Sequence, residues 1–209
     1  MIEEEEAREW VRGTFDVPRE TMARLDGFVE MLRRENSQQN LVSRSSLAAL
    51  WVRHIADSAQ LLRFAPFGSA SWIDLGTGAG FPGLIVAALH GGPVVLVEER
   101  RLRVEFLRAA SRLLGLSNVE VHGCKAERVP RRSFDVISAR AFAPLPRLLD
   151  LGTRFSTDNT RWILPKGRAA QSELEAVESS WQGGFRLEPS LTDAAAAIIV
   201  AEGVKRKRK

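Results

Sequence analysis

Cysteine is nearly absent: Cys124 is the single one in 209 residues, so the chain cannot form an internal disulfide bond. The sequence also lacks a run of about 18 apolar residues, the length that a membrane-spanning helix needs. Four glutamates at positions 3–6 stand where a signal peptide would have a basic and then an apolar region. We therefore expect a cytoplasmic protein without a membrane partner, in which Cys124 is a small buried side chain.

The charge is weakly basic and unevenly distributed. The formal net charge is +4 and the isoelectric point is about 9.8, which modestly favours a polyanionic partner. Residues 3–6 are acidic, whereas residues 205–209 are all lysine or arginine. A basic end of this kind either binds nucleic acid or keeps the chain soluble, and the charge alone does not decide between the two.

Residues 1–68 are predicted to form a helical cap. Apolar side chains recur there at helical spacing, at Met22, Leu25, Phe28, Val29 and Leu32. A polar run at 36–40 interrupts the pattern, and Ser45 or Ser46 is then expected to cap a further helix whose apolar face includes His54. Pro66 and Gly68 lie in the linker that follows.

Residues 69–209 are predicted to form a second domain in which strands and helices alternate. Short apolar strands are expected at 72–75, 94–97, 119–122, 134–138, 161–164, 185–187 and 195–201. Regular alternation is typical of a mainly parallel sheet with helices on both faces. The last two strands have no helix between them, which favours an antiparallel hairpin at one edge. The predicted fold is α/β with a seven-stranded sheet.

The loop after the first predicted strand is the most informative stretch, WIDLGTGAGFPGL at 72–84. Gly78, Gly80 and Gly83 match the dinucleotide fingerprint G-x-G-x-x-G. Asp74, Gly76, Gly78 and Gly80 match a second pattern, D-x-G-x-G-x-G. The second strand ends about 20 residues later at Glu98, where a carboxylate suits the hydroxyls of a ribose. Both patterns therefore predict a ribose-bearing cofactor.

S-adenosylmethionine fits the chain better than a dinucleotide does. A dinucleotide needs a pyrophosphate at the helix N-terminus and a second domain for its substrate, and no segment of that size follows the sheet. S-adenosylmethionine has no phosphate, and its ammonium group favours a carboxylate such as Asp74 near the end of the strand. A helical cap of this length would also be unusual before a nicotinamide-binding strand.

Together the motifs resemble the RsmG (GidB) family of class I, Rossmann-like methyltransferases. The resemblance covers nearly the whole chain, and its most specific parts are Gly-Phe-Pro-Gly at 80–83 and Ser-x-Arg-Ala-Phe at 138–142. Further matching segments lie at 40–41, 53–58, 103–108, 126–127 and 166–167. This family uses S-adenosylmethionine to make 7-methylguanosine in 16S ribosomal RNA, so the resemblance implies the same reaction here.

The resemblance also implies which residues bind the donor. Gly76 and Phe81 would touch it from the loop, Ala126 and Glu127 would bracket the adenine, and Arg140 would lie beside the methyl group. Two positions depart from the family pattern. Phe81 stands where leucine is common, and Glu98 with Glu99 stands where Asp-Ser is common, although Glu98 can still reach a ribose.

The expected reaction needs no general base, because ring nitrogen 7 of guanine has a free lone pair. The Asn/Asp-Pro-Pro-aromatic motif of many exocyclic-amine methyltransferases is missing after the fourth strand, which argues against an adenine or cytosine amine. Arg140 and Lys166 end neighbouring strands, and we expect them to hold RNA phosphate or the guanine acceptor edge. The alternative for Arg140 is a simple pairing with an acid such as Glu127.

Two further residues are candidates for contact with the substrate. Phe142 either stacks on an extruded base or belongs to the core. His54 either lines the cleft or is a packed histidine that is hydrogen-bonded to Asp57 or to backbone. No metal site is expected.

The sequence therefore predicts a monomeric enzyme that methylates nitrogen 7 of a guanine in 16S ribosomal RNA, free or within the 30S subunit. The alternatives are a small-molecule methyltransferase and a non-catalytic RNA-binding protein of ribosome assembly.

Overall fold

The computed structural model describes residues 2–207. The seven strands in that range form one sheet. Their order is β3-β2-β1-β4-β5-β7-β6. The strand bounds are β1 (Trp72–Leu75), β2 (Val94–Val97), β3 (Val119–His122), β4 (Val136–Ser138), β5 (Arg161–Lys166), β6 (Trp181–Pro189) and β7 (Ala197–Arg206). The first five are parallel, and β7 pairs antiparallel with β5 and β6. The predicted fold class is confirmed.

The direction of the strand order reverses at β1. Its two neighbours are β2 and β4, so the loops that leave β1 and β4 open a crevice at the carboxyl edge of the sheet. All four side chains of β1 and all four of β2 are buried. Continuous burial is expected for parallel strands that helices cover on both faces.

The closing hairpin is longer than the sequence pattern predicts. β6 and β7 extend well beyond 185–187 and 195–201, so Lys205 and Arg206 are strand residues. Lys205 Nζ lies 2.6 Å from Asp158, and Arg206 lies 2.7 Å from Asp150. These two residues of the basic end therefore belong to the edge hairpin and are paired with carboxylates. Arg208 and Lys209 lie outside the described residues.

Four helices cover the two faces of the sheet: α4 (Gly83–Leu89), α5 (Arg101–Leu114), α6 (Leu145–Gly152) and α7 (Ala170–Glu178). The amphipathic α5 ends at Gly115, which has a φ of 69°. This left-handed conformation favours glycine and closes the helix.

The cap contains two regular helices and one irregular segment. The helices are α1 (Glu4–Thr14) and α2 (Arg19–Gln39). The irregular part, which we call the 44–64 segment, consists of a 3₁₀ turn (Arg44–Ala49), a π-helix (Trp51–Ala56), the short α3 (Asp57–Ala59) and a second 3₁₀ turn (Gln60–Phe64). A continuous α-helix was the wrong prediction for this segment. π-helical turns are rare and occur frequently at functional sites.

The 44–64 segment begins about one turn before the N-cap residue that the sequence predicts. Ser43, rather than Ser45 or Ser46, is the N-cap, since its Oγ accepts a hydrogen bond of 3.3 Å from the Ser46 N–H. At the π-helix the Glu4 carboxylate accepts from the backbone N–H groups of Trp51 and Val52, at 3.1 and 2.8 Å. This contact joins α1 to the 44–64 segment.

The cap shares one hydrophobic core with one face of the sheet. The Phe28 ring of α2 lies 5.7 Å from the Phe81 ring and 6.2 Å from the Phe106 ring, which belong to the loop after β1 and to α5. The division of the chain at residue 68 stays a prediction. Within residues 2–207, no helix has both the length and the hydropathy that crossing a bilayer requires.

The shared core predicts that the cap and the sheet unfold together. Leu25 is fully buried in α2, so Leu25→Ala is expected to lower the free energy of unfolding by about 2–5 kcal/mol in a single transition. Urea unfolding followed by tryptophan fluorescence and by circular dichroism checks this. Leu102→Ala, at a side chain that is 53% exposed on α5, is the control and should change stability by less than about 0.5 kcal/mol. Two separate transitions would contradict the expectation.

Candidate active site

Two cavities lie at the carboxyl edge of the sheet. The smaller one, about 270 Å³, lies among the loops that follow β1, β2, β3 and β4. The larger one, about 980 Å³, lies between the 44–64 segment, the end of β5 and the turn between β6 and β7. Ala141 and Phe142 line both cavities, so the segment after β4 forms the wall between them.

The glycine loop supplies bare backbone to the smaller cavity. Gly76, Gly78 and Gly80 have φ values of 68°, 61° and 94°, which side chains rarely adopt. A Cβ atom at Gly76 would lie 2.2 Å from Cδ2 of Phe142. The Phe142 ring therefore rests directly on the Gly76 backbone. Gly76 lines the smaller cavity, whereas Gly78 and Gly80 do not.

Asp74 lies beneath the glycine loop rather than in a cavity. It is fully buried, and burial raises the pKa of its carboxyl. Its Oδ1 accepts a hydrogen bond of 2.8 Å from Ser138 Oγ, and its Oδ2 accepts one of 3.0 Å from the Gly83 N–H. Asp74 thus ties β1 to β4 and to the first turn of α4. Asp74 lines neither cavity, and its contact with the ammonium group of the donor stays a prediction.

Glu98 lines the smaller cavity but already has internal partners. Its Oε2 accepts from the Gly78 N–H at 3.2 Å, and its Oε1 accepts from the Arg100 N–H at 2.9 Å. Arg103 lies 3.8 Å away. The carboxylate therefore braces the glycine loop, and Glu99 beside it is exposed at the same cavity. A ribose contact from Glu98 stays a prediction.

The loop after β3 forms the opposite wall of the smaller cavity. Ala126 and Glu127 line it, and their contact with an adenine stays a prediction. Cys124 lines it as well and is half-buried, so the prediction of a buried thiol is wrong. Phe81 lines neither cavity. Its buried ring stacks on His54 at 4.8 Å between ring centroids.

Arg140 joins the end of β4 to the 44–64 segment. Nη1 lies 3.3 Å from Asp57 Oδ2 and donates to the Arg53 carbonyl oxygen at 3.3 Å, while Nη2 lies 3.0 Å from His54 Nδ1. The guanidinium also lies 5.3 Å from the centroid of the Phe81 ring. The acid that pairs with Arg140 is therefore Asp57 and not Glu127. Arg140 lines the larger cavity.

His54 is held as a neutral imidazole. Burial, followed by the charges of Arg140 and Arg53, lowers its pKa from 6.5 to about 3. Because Nδ1 accepts from Arg140, the proton resides on Nε2. That nitrogen is buried and has no hydrogen-bond partner within residues 2–207. His54 lines the larger cavity, and its partner is Arg140 instead of the expected Asp57 or backbone.

Lys166 ends β5 and lines the same cavity as Arg140, as the strand order predicts. Its Nζ lies 2.8 Å from Glu173 Oε2 of α7. Arg53 Nη1 at the rim lies 3.0 Å from Asp193 Oδ2. Three cation–carboxylate pairs thus line the larger cavity: Arg140 with Asp57, Lys166 with Glu173, and Arg53 with Asp193.

The sequence reasoning missed the acidic partners. Asp57 lies inside a matched segment, but it was considered only as a partner for His54. Glu173 and Asp193 lie on α7 and on the turn before β7, and no local pattern marks them. The three acids contribute to the larger cavity only through long-range folding. No group of three metal-ligating side chains occurs in the part of the chain that the structure describes.

The strand order and the crevice beside β1 define the fold of class I methyltransferases. A solved S-adenosylmethionine-dependent methyltransferase from Aquifex aeolicus has the same fold, with a TM-score of 0.59 at 18% identity over 78% of this chain and 95% of that chain.

Comparison of the amino-acid sequence with known proteins shows the family to which this chain belongs. The family model for rRNA small subunit methyltransferase G (GidB) matches residues 21–189. Ribosomal RNA small subunit methyltransferase G of Rhizorhabdus wittichii is 53% identical over 99% of this chain and 95% of its own length. The protein of the same name from Novosphingobium aromaticivorans is 50% identical over 96% of this chain and 88% of its own length. The chain therefore belongs to the family of rRNA small subunit methyltransferase G.

The neutral His54 predicts a pH-dependent stability. Between the folded pKa of about 3 and the ordinary value of 6.5, the unfolded chain binds a proton that the folded chain does not. This component of stability is therefore present above pH 6.5 and decreases as the pH falls. His54→Asn keeps an acceptor for Arg140 but cannot titrate. We expect the variant to have a lower free energy of unfolding than the wild type at pH 7, and this deficit should shrink towards pH 4 when both are unfolded in urea. A constant deficit would contradict this.

The Gly76 backbone predicts a specific loss of donor binding. Gly76→Ala places a methyl group in a left-handed residue and against Phe142, with a strain of about 1–2 kcal/mol. We expect the Kd for S-adenosylmethionine to rise at least about tenfold in calorimetry. Gly13→Ala is the control, since its added Cβ would meet no atom within 4 Å beyond its chain neighbours and the backbone of its own helix. Equal affinity in both variants would exclude Gly76 from the donor site.

Proposed function

We propose that this protein transfers a methyl group from S-adenosylmethionine to nitrogen 7 of a guanine in 16S ribosomal RNA, with the donor in the smaller cavity and the base in the larger one. The observation that carries the proposal is the wall that the two cavities share at Ala141 and Phe142. A donor and an acceptor held on its two sides need only this segment to shift for the reacting atoms to meet.

The smaller cavity suits the donor in shape and charge. Gly76 lines this cavity with backbone that has no side chain, and the acids Glu98, Glu99 and Glu127 offer acceptors for ribose hydroxyls and for cationic groups. Arg100 and Arg103 supply positive charge beside them, which suits the carboxylate of an amino-acid end. When bound, S-adenosylmethionine supplies an electrophilic methyl group that is already activated.

The larger cavity positions the acceptor and removes no proton from it. Nitrogen 7 of guanine attacks through its own lone pair, so no general base is needed. The groups lining the cavity agree with this, because His54 is neutral with its Nδ1 already bonded and the acids are paired with cations. Arg140 and Lys166 are proposed to orient the base or a neighbouring phosphate, and such positioning supplies most of the catalysis.

The alternatives fit the molecule less well. A small-molecule methyltransferase would favour a closed apolar pocket beneath the cap, whereas three ion pairs line this cavity. A non-catalytic assembly protein has no use for a donor cavity next to a separate acceptor cavity. We further propose a monomer in the cytoplasm that acts on 16S ribosomal RNA, free or within the 30S subunit, and a chain divided at residue 68 into cap and catalytic domain.

Arg140 provides the test of the acceptor site. The purified chain is incubated with labelled S-adenosylmethionine and small-subunit RNA or 30S subunits, and the nucleosides are analysed by mass spectrometry after digestion. We expect 7-methylguanosine at one guanine. Arg140→Lys should lower kcat/KM at least about tenfold, since an ammonium cannot keep the three hydrogen bonds of the guanidinium.

The matched control is Arg34→Lys, at an exposed position of α2 that lines neither cavity, and it should retain wild-type activity. Donor affinity is measured for both variants and should be unchanged, which separates the acceptor site from the donor site. Product that is not 7-methylguanosine, or full activity of Arg140→Lys, would contradict the proposal.

A further inference from the structure

The ion pair between Lys166 and Glu173 differs from the other two in the larger cavity. Glu173 Oε2 accepts from both Lys166 Nζ at 2.8 Å and the Leu145 N–H at 3.0 Å. These two bonds fix the orientation of the carboxylate. Its second oxygen, Oε1, has no hydrogen-bond partner among residues 2–207 at this cavity. An ammonium donor and an available carboxylate acceptor therefore lie side by side.

The other two carboxylates of the larger cavity have both oxygens engaged. Asp57 Oδ2 lies 3.3 Å from Arg140, and its Oδ1 accepts from Gln60 Nε2 at 2.9 Å and from Thr192 Oγ1 at 2.7 Å. Asp193 accepts from Arg53 and from the Ala195 N–H. Glu173 is thus the acid of this cavity with an oxygen left for a ligand.

A hydrogen-bond donor next to a hydrogen-bond acceptor is complementary to one edge of guanine. The Watson–Crick edge of guanine presents the O6 acceptor beside the N1–H and N2–H donors, while adenine presents the reverse order, an N6–H donor beside the N1 acceptor. Nitrogen 7 lies on the Hoogsteen edge beside O6, and it faces away from N1 and the 2-amino group. A contact at the Watson–Crick edge therefore leaves the methylated atom uncovered.

We propose that Lys166 donates to O6 of the acceptor guanine while Glu173 Oε1 accepts from its N1–H and N2–H groups, so that this pair selects guanine over adenine. This inference rests on the proposed function. It makes Glu173 a specificity-determining residue on α7, a helix to which the site residues predicted from sequence do not belong.

The test compares guanosine with inosine at the methylated position, because inosine lacks only the 2-amino group. Wild-type enzyme should methylate the guanosine RNA with a kcat/KM about five- to a hundredfold above that of the inosine RNA, the range of one lost specific contact. This comparison needs no variant. Equal rates on the two RNAs would overturn the inference.

Glu173→Gln tests the residue itself. The amide oxygen keeps the contacts of Oε2 to Lys166 and Leu145, so the NH₂ group takes the place of the available oxygen. A hydrogen-bond donor of the variant then faces the 2-amino group of guanine. The ratio of kcat/KM on the guanosine RNA to kcat/KM on the inosine RNA should therefore fall towards one. The control is Glu175→Gln at an exposed position two residues along α7, which should keep the wild-type ratio.

The possible outcomes separate this inference from the proposed function. If wild-type enzyme makes 7-methylguanosine but Glu173→Gln keeps the wild-type ratio, the inference fails and the proposed function stands. If wild-type enzyme makes no 7-methylguanosine in ribosomal RNA, both fail. Calorimetry with S-adenosylmethionine should show the same donor affinity in the wild type and in Glu173→Gln, which shows that the variant is folded.

Discussion

The guanidinium of Arg140 is the contact on which the arrangement of the site depends. It extends from the end of β4 and reaches the Arg53 carbonyl, the Asp57 carboxylate and the His54 ring on the 44–64 segment. The chain of contacts continues from Asp57 to Thr192 in the turn between β6 and β7. The cap, the central strand and the edge hairpin therefore meet at one charged group, and the larger cavity lies among them.

The chemistry of the site is that of fixed charges rather than of proton transfer. Asp74 and Glu98 are the two acids nearest the glycine loop, and both use their oxygens to hold backbone N–H groups in place. Their hydrogen bonds hold the loop in the conformation in which Gly76, Gly78 and Gly80 have positive φ. This arrangement suits a reaction in which the electrophile is already activated and geometry determines the rate.

Much of this architecture could be predicted from the sequence, because parallel strands impose a simple rule. Their carboxyl ends share one edge, so Gly76, Arg140 and Lys166 were all expected there. The depth of Asp74 was not foreseen, since it lies within β1 and points beneath α4 rather than out of the strand end. The π-helix at Trp51–Ala56 escaped prediction because its residues have an ordinary helical pattern. Glu173 was missed because its partner lies on a different element, brought near only by tertiary packing.

The pairing of every cation in the larger cavity with a carboxylate changes how this surface meets a polyanion. Isolated lysines and arginines on a nucleic-acid-binding surface attract salt ions, which are released when RNA arrives, and this release drives much of the affinity. Here Asp57, Glu173 and Asp193 act as built-in counterions. If RNA binds as proposed, its entry into the cavity would free few salt ions, and the salt dependence of binding would report on arginines outside it. The cavity itself is poorly suited to bind an arbitrary polyanion. It favours a ligand that replaces each internal ion pair with a contact of matching geometry.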